Sequence, residues 1–464
     1  MEGVHHCDPL LDRRHHPGHD RPIDTEAEVS MRTDSLPKGG KVSYLGPELS
    51  ASAIAAIEAE GFTFETSPLD TAEAQLPEDT AVLVLGIGSD HPIKAALQAA
   101  AVQRDIPVVS DLRFLAAVQD QLTTPAERRV LITGSAGKTV TAAILMRLLA
   151  EGGKEAMAIT ASDGYLNLLG YRAEAAIFHA SPSAVRDAEE LSLGSSVVLN
   201  LSEESGLPVG ERAQLACSTL LAATTLSVLG ADDPMCQSLL MGVRRSAKGT
   251  LVPVSGGATL SDGWFAIDRT IYAVRNGRTR RVAAYAESVS LIGDHFGQDA
   301  AAAAAVASHL GVSDDAIGRG LVAFRGVAGR FDCIGTDGGI VFVDDRYASC
   351  PPSTEAAIAA CPEVFWIGHR QGKLPAKVKA ALRGSFFLKH PEEDGPPVDD
   401  VVTFADAETA SEAAMRAAQD LVARDPGATP VLLFSPGSLG FDRQGELFRL
   451  KALSALSARK ARHG

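Results

Sequence analysis

The 464-residue chain is 45% hydrophobic and 22% charged, and it carries a formal net charge of −15. About 150 residues per domain is a soft prior, so this length predicts three domains, each large enough to bury its own core. The acidic balance argues against nucleic-acid binding, and no apolar run approaches the roughly 18 residues of a membrane-spanning helix. The six cysteines include no C-x-x-C pair, which favours reduced thiols in a cytoplasmic protein over disulfides or a zinc site.

The first 40 residues contain five of the twelve histidines among Asp, Arg and Pro, with almost no apolar periodicity. This composition predicts a disordered, His-rich tail over residues 1–40. A metal-binding tract is the alternative, and Met31 is a second candidate start of translation. The tail lacks the apolar core of a signal peptide, so secretion is not indicated.

Residues 41–121 alternate between apolar strand patterns and helical patterns, which predicts a small α/β unit with a parallel sheet. Helices are predicted over 51–60 and 92–104, between the strands KVSYLG, FTFETS, AVLVLGI and IPVVSD. The turn after the first strand reads LGPELSAS rather than G-x-G-x-x-G, so substrate recognition or scaffolding is favoured over dinucleotide binding. Residues 122–129 resemble a linker in composition.

The stretch 130–150, VLITGSAGKTVTAAILMRLLA, runs from an apolar strand through a glycine-flanked turn directly into a helical pattern. Gly134 and Gly137 let backbone N–H groups turn inward around an anion. Lys138 would meet the terminal phosphates, Thr139 would offer a hydroxyl to Mg²⁺, and the helix dipole adds positive potential. The general phosphate-loop pattern has another glycine where this chain has Ile132, and a plain strand-to-helix turn is the alternative. The flanking strand and helix favour a nucleotide site.

The central unit, residues 122–325, continues with strand patterns in AAIFHA and SSVVLNLS and a helical pattern over 212–229. Four short strand patterns and a very alanine-rich helix over 298–310 follow. We expect a central phosphate-loop domain with an appended β layer.

The last unit, residues 326–464, alternates the strands GIVFVDD, EVFWIGH and PVLLFS with helical patterns over 353–360, 375–383 and 408–423. This order predicts a second doubly wound α/β sheet, closed by a helix over 447–462.

Three α/β units with a short TGxxGK[ST] loop opening the second resemble the Mur ligases, which join a carboxylate to an amine at the expense of ATP. The landmarks recur in order over 41 to about 450: IPVVSDLRF, LITGSAGKT, VVLNLSEES, GADD, IGDHFGQDAAAAAA, FRGVAGRFD, GIVFVDDRYAS and LLFSPGSLGFD. The D-glutamate-adding branch matches best. The resemblance implies a Rossmann-like N-terminal domain for a UDP-linked sugar-peptide, a central ATP-binding domain and a Rossmann-like C-terminal domain.

The resemblance also implies roles for individual residues. The loop Gly134, Ser135, Ala136, Gly137, Lys138 and Thr139 would hold the ATP phosphates, with Thr139 on Mg²⁺. Asp299 stands where the family has an adenine-side Asn. Arg330 and Asp345 match motif residues that close the C-terminal domain onto the nucleotide, and Ser349 matches a Thr near the incoming amino acid.

Several family positions are changed, and these departures bear on the chemistry. His179 or Phe178 replaces the metal-binding Glu, and His179 is our candidate catalytic residue beside Lys138 and Arg330; a hydrogen-bonded core histidine is the commoner alternative. The other departures are Ser205 for a His, Ala216 or Cys217 for the carbamylated Lys, Gly329 for a His, Tyr347 for a Lys and Gly440 for a Ser. Replacement metal ligands are conceivable at Glu203, Glu204, Asp163 and Asp345.

Two classes of function therefore compete. One is an ATP-dependent amide ligase of peptidoglycan precursor synthesis, working as a monomer on a UDP-sugar-peptide and an amino acid, or redirected to another acid and amine. The other is a Mur-like ATP-binding protein that has lost catalysis and regulates a partner.

Overall fold

The computed structural model describes residues 36–66, 76–86, 92–201, 207–288, 290–291, 293, 295–348, 350–369, 374–389, 403–438 and 440–463. Its strands form three sheets, which follow one another along the chain. The predicted tail lies outside the described residues except for its last five positions. In the part of the chain that is described, no helix has the length and apolarity needed to cross a bilayer.

The first sheet has the strand order β2-β1-β3-β4, and every neighbouring pair is parallel. Its elements are β1 Gly40–Leu45, α1 Ala51–Ala59, β2 Phe62–Thr66, β3 Thr80–Leu85, α2 Pro92–Gln103, β4 Val108–Ser110 and α3 Asp111–Ala117. Serine residues are the N-caps of two of these helices. The Ser50 hydroxyl accepts a hydrogen bond from Ala53 N at the start of α1, and the Ser110 hydroxyl accepts one from Arg113 N at the start of α3. Each satisfies an otherwise open N–H group at the helix start.

The predicted linker is tied to the fold. Arg129 is buried, and its guanidinium donates to Thr124 O and to the side chain and backbone carbonyl of Gln119. Arg129 is also the first residue of the next strand. The passage between the first two sheets is therefore fixed by buried hydrogen bonds.

The second sheet has nine strands in the order β13-β12-β11-β10-β9-β8-β5-β7-β6. It is parallel from β6 to β11 and antiparallel over the last two pairs. Its elements are β5 Arg129–Thr133, α4 Lys138–Glu151, β6 Ala156–Thr160, β7 Ala175–His179, β8 Ser195–Val198, α5 Val209–Ala222, β9 Leu226–Gly230, α6 Pro234–Ser246, β10 Thr250–Ser255, β11 Gly263–Ile267, β12 Thr270–Arg275, β13 Arg278–Ala284, α7 His295–His309 and α8 Asp314–Ala323.

The helix predicted over 212–229 is too long, and the predicted β layer is part of this sheet. The helix predicted over 212–229 ends at Ala222, because the segment after it becomes β9 and pairs with both β8 and β10. The four short strands predicted for an appended β layer form as β10 to β13 and extend this sheet, since β10 pairs with β9 in parallel and β11 to β13 follow it. Strand pairing across the sheet determines where the helix ends and where β10 lies, and the composition of a short segment does not predict which strands will pair.

The alanine-rich helix α7 packs against α4. Its residues Ala300 to Ala304 are fully buried, and their small side chains let the two backbones approach closely. This close packing sets Asp299, on the first turns of α7, directly against the loop that precedes α4.

The third sheet has the order β14-β15-β19-β16-β17-β18, with only its first pair antiparallel. Its elements are β14 Asp332–Asp337, β15 Ile340–Asp344, α9 Pro351–Ala359, β16 Val364–His369, α10 Ala376–Ala381, β17 Leu382–Leu388, β18 Thr403–Phe404, α11 Ala407–Arg424, β19 Val431–Phe434 and α12 Asp442–His463. The helix predicted over 375–383 is shorter, because LRGSFFL pairs with β16 as strand β17.

Candidate functional site

The loop between β5 and α4 lies at the carboxyl end of a fully buried central strand, where open parallel sheets bind ligands. Gly134 has φ +143 and Gly137 has φ +83. A Cβ at Gly137 would lie 2.4 Å from the Asp299 Oδ1 atom, and one at Gly134 would lie 3.2 Å from Asn200 N. Both backbone conformation and space therefore require glycine at these positions.

Asn200, just after β8, holds the loop from the side. Its Oδ1 accepts from Ala136 N at 2.8 Å, and its Nδ2 donates to Ala136 O at 3.2 Å. Its backbone carbonyl accepts from Ser135 N at 3.2 Å. No local motif predicts a role for Asn200; its position as a polar residue at a strand end is the available signal.

Lys138 and Thr139 open helix α4, which has no side-chain cap. Lys138 Nζ donates to Gly134 O at 2.6 Å and also reaches Ser135 O at 3.4 Å. The ammonium group thus curls over the loop, next to the positive end of the helix dipole. This arrangement favours an anion above the loop.

A cavity of about 570 Å³ adjoins the loop on the side of β6. Apolar side chains of α4 and β6 form much of its walls. Polar and charged groups come from Thr139, Arg147, Thr160, His179 and Arg325. The chain segment that leaves α8, residues 323–326, forms the opposite wall. The cavity therefore lies between the loop and the passage to the third sheet.

His179 ends β7 and faces the loop cation. Burial, together with the charges of Lys138 and Arg330, lowers the pKa of its imidazole to about 4. The imidazole is consequently neutral at pH 7. Its Nδ1 atom is buried without a hydrogen-bond partner among the described residues, while Tyr165 Oη donates to the His179 carbonyl at 2.7 Å.

Arg330 lies in the segment that joins α8 to β14. Its Nη1 donates to the Tyr347 carbonyl, and its guanidinium carbon lies 5.3 Å from the centroid of the Tyr347 ring. Burial lowers the pKa of Arg330, whereas nearby Asp345 raises it, and the group remains cationic. Lys138, His179 and Arg330 are thus brought together although they are far apart in sequence.

Asp299 and Asp345 are buried carboxyl groups of different character. Burial raises the pKa of Asp299 to about 8, and the Thr141 hydroxyl opposes the rise. Burial likewise raises the pKa of Asp345 to about 7, opposed mainly by Ser435 and by the Phe331 N–H. Asp299 lies against the β5–α4 loop, whereas Asp345 contacts the segment that joins α8 to β14.

The hydrogen bonds of Asp345 explain its position. Its Oδ1 accepts from Phe331 N at 3.0 Å and its Oδ2 from the Ser435 hydroxyl at 2.8 Å. Phe331 has φ +51, a conformation that costs energy for a bulky residue. Asp345 stabilises this strained turn, so its predicted nucleotide contact competes with hydrogen bonds that it already makes.

The remaining candidates cannot be placed as a metal centre. No group of three or more His, Cys, Asp or Glu side chains suited to a metal occurs in the described residues. Ser349, Ser205, Glu203 and Glu204 lie outside those residues. Cys217 packs, half-buried, beside a buried apolar cluster.

Comparison with known proteins places this architecture. No family model matches the chain. A MurF ligase of Thermotoga maritima, crystallised with ADP, superposes with a TM-score of 0.55 at 16% identity, covering 91% of this chain and 97% of that one. A MurC ligase of the same organism gives 0.54 at 14% identity, covering 90% and 100%. The chain has the three-sheet α/β fold of the Mur ligases.

Within that class, sequence similarity points to one branch. The UDP-N-acetylmuramoylalanine–D-glutamate ligase (MurD) of Phenylobacterium zucineum is 28% identical over 449 residues, or 89% of this chain and 92% of that protein. The MurD of Cereibacter sphaeroides is 29% identical over 458 residues, or 90% and 94%. The resemblance predicted from the sequence is thereby confirmed: the chain is similar to MurD ligases over most of its length.

Proposed function

We propose that the chain is an ATP-dependent ligase of the MurD type, acting in peptidoglycan precursor synthesis. It would transfer the γ-phosphoryl group of ATP to a substrate carboxylate of the UDP-N-acetylmuramoyl-L-alanine type, giving ADP and an acyl phosphate. The amine of an amino acid would then attack the acyl carbon, forming the amide and releasing phosphate.

The observation that carries the proposal is the convergence of Lys138, Arg330 and the uncapped start of α4 on one loop. Phosphoryl transfer requires charge neutralisation above all, and two cations with a helix dipole supply it. Gly134 to Gly137 would wrap the β- and γ-phosphates with backbone N–H groups.

His179 would contribute as a neutral group. Because its pKa is held near 4, the imidazole can donate one hydrogen bond to a phosphate or carboxylate oxygen without adding a charge. The buried Nδ1 without a described partner supports this assignment.

The Mg²⁺ of Mg-ATP is compatible with the side chains present. Mg²⁺ takes most of its ligands from phosphates and water, and the Thr139 hydroxyl would be the protein's contribution. Bound there, Mg²⁺ would neutralise phosphate charge; the missing carboxylate at position 179 leaves more of that task to Lys138 and Arg330.

The units 41–121, 122–325 and 326–464 would bind the UDP-linked substrate, ATP and the amino acid, respectively. Asp299 would border the nucleotide, and Ser349 would contact the amino acid. Asp345 would hold the segment that joins α8 to β14 in place. A redirected acid and amine pair, or an ATP-binding protein without ligase activity, are the alternatives that the altered positions leave open.

The proposal is tested by calorimetric titration of ATP, with and without Mg²⁺, into wild type, Lys138→Ala and the exposed control Lys248→Ala. We expect a large loss of affinity only in Lys138→Ala. Phosphate release is then measured with UDP-N-acetylmuramoyl-L-alanine and D-glutamate, and with a panel of other acids and amines. ATP binding without any turnover would refute the ligase and favour the regulatory alternative.

A further inference from the structure

The segment that joins α8 to β14 and carries Arg330 is hydrogen-bonded to the residues that follow β15. Arg330 N donates to Val327 O at 2.9 Å, closing a tight turn, and Tyr347 N donates to Gly329 O at 3.1 Å. Hydrogen bonds from Tyr347 N to Gly329 O and from Phe331 N to Asp345 Oδ1 therefore join the turn to the segment 345–347.

The ring of Tyr347 packs on Gly329. A Cβ at position 329 would lie 2.7 Å from Tyr347 Cδ2 and 2.8 Å from Cε2, and Gly329 has φ +71. No other residue fits there while the ring keeps its place. The glycine and the tyrosine, 18 positions apart in the sequence, are complementary in shape.

Tyr347 holds the Arg330 side chain in two ways. Its carbonyl accepts a hydrogen bond from Nη1, and its ring lies 5.3 Å from the guanidinium carbon. A long arginine side chain loses much rotational freedom when it is fixed, and contacts of this kind offset that loss. The segment that carries Arg330 lines, through residues 325–326, the same cavity as Thr139 and His179, and the Arg330 charge acts on His179 together with that of Lys138. The guanidinium therefore lies on the side of the β5–α4 loop that faces this cavity.

We propose that Tyr347 is a positioning residue, which with Gly329 sets the Arg330 guanidinium where the terminal phosphate of a bound nucleoside triphosphate would lie. The inference rests on the nucleotide site of the proposed function. Tyr347 itself is 44% exposed and acts through Arg330 rather than on the phosphate.

The test compares affinities for ATP and ADP, because a group that serves the terminal phosphate affects their ratio. Calorimetry is done on wild type, Tyr347→Ala, Tyr347→Phe, Arg330→Ala and the double variant Arg330→Ala/Tyr347→Ala. Tyr171→Ala is the control, since Tyr171 is exposed to a similar extent, 47%. Thermal unfolding of each variant monitors stability separately.

We expect Tyr347→Ala, which removes the ring but keeps the backbone carbonyl, to reduce the preference for ATP over ADP by roughly 3- to 30-fold. Tyr347→Phe should retain the preference because the ring remains. The double variant should be no worse than Arg330→Ala alone. A preference unchanged in Tyr347→Ala, or additive losses in the double variant, would overturn the inference while Lys138-dependent ATP binding stands. If wild type bound neither nucleotide, the inference and the proposed function would both be wrong.

Discussion

Replacing Asp299 by asparagine should stabilise the folded protein at neutral pH. The carboxyl group is buried, its Oδ1 lies against the Cα side of Gly137, and the polar neighbour that acts on its pKa is the uncharged Thr141 hydroxyl. Asparagine has nearly the same shape, can accept a hydrogen bond through its carbonyl, and never acquires a charge.

The magnitude follows from the pKa difference. The pKa of Asp299 is about 8 in the folded state, against an ordinary value of 3.8. Between these values the folded protein binds one more proton than the unfolded chain, so stability decreases as pH rises, by about 1.4 kcal/mol per pH unit. At pH 7 the decrease totals about 4 kcal/mol, and it levels off once the pH exceeds the folded pKa. Asparagine avoids this loss.

Urea unfolding at several pH values from 5.5 to 8.5 measures the effect. The midpoint of wild type should fall relative to that of Asp299→Asn across this range. The exposed Asp420→Asn variant, changed in the middle of α11, should follow wild type. If the wild-type and Asp299→Asn midpoints keep a constant separation, Asp299 ionises like an ordinary aspartate and the reasoning is refuted.

Two further substitutions examine the loop and the third sheet. Asn200→Ala removes both side-chain hydrogen bonds to the loop, so ATP affinity in calorimetry should fall about 10-fold; unchanged affinity would show that the loop needs no clamp. Asp344→Ala leaves Arg346 and Arg449 without their buried partner, which should cost about 3 kcal/mol of unfolding free energy in urea. Asp79→Asn, in an exposed pair, should change little; an equally small effect at Asp344 would contradict the network.

The strand, turn and helix around the β5–α4 loop could be predicted because their signal is local. An apolar strand, two glycines, a lysine and a helix follow one another within 20 residues, and each dictates its own conformation. Strand β9 was missed because its residues are compatible with a helix, and only pairing with β8 and β10 decides otherwise.

The partners of the loop could not be predicted for a related reason. Asn200 reaches Ala136 across 64 positions, and no local pattern connects the two residues. Gly329 and Tyr347 were each recognised as departures from the family, but their direct contact follows only from the tight turn that faces the end of β15.

The three groups near the loop come from separate elements. Lys138 belongs to α4, His179 to β7 and Arg330 to the segment that joins α8 to β14. The first two belong to elements of the nine-stranded sheet domain, whereas Arg330 is held by Tyr347, which follows strand β15 of the third sheet. In sequence, only one residue separates Tyr347 from Ser349, the proposed contact for the amino acid. A single segment would therefore position both the cation that serves phosphoryl transfer and the site of the attacking amine, so displacement of the third sheet would weaken both steps together.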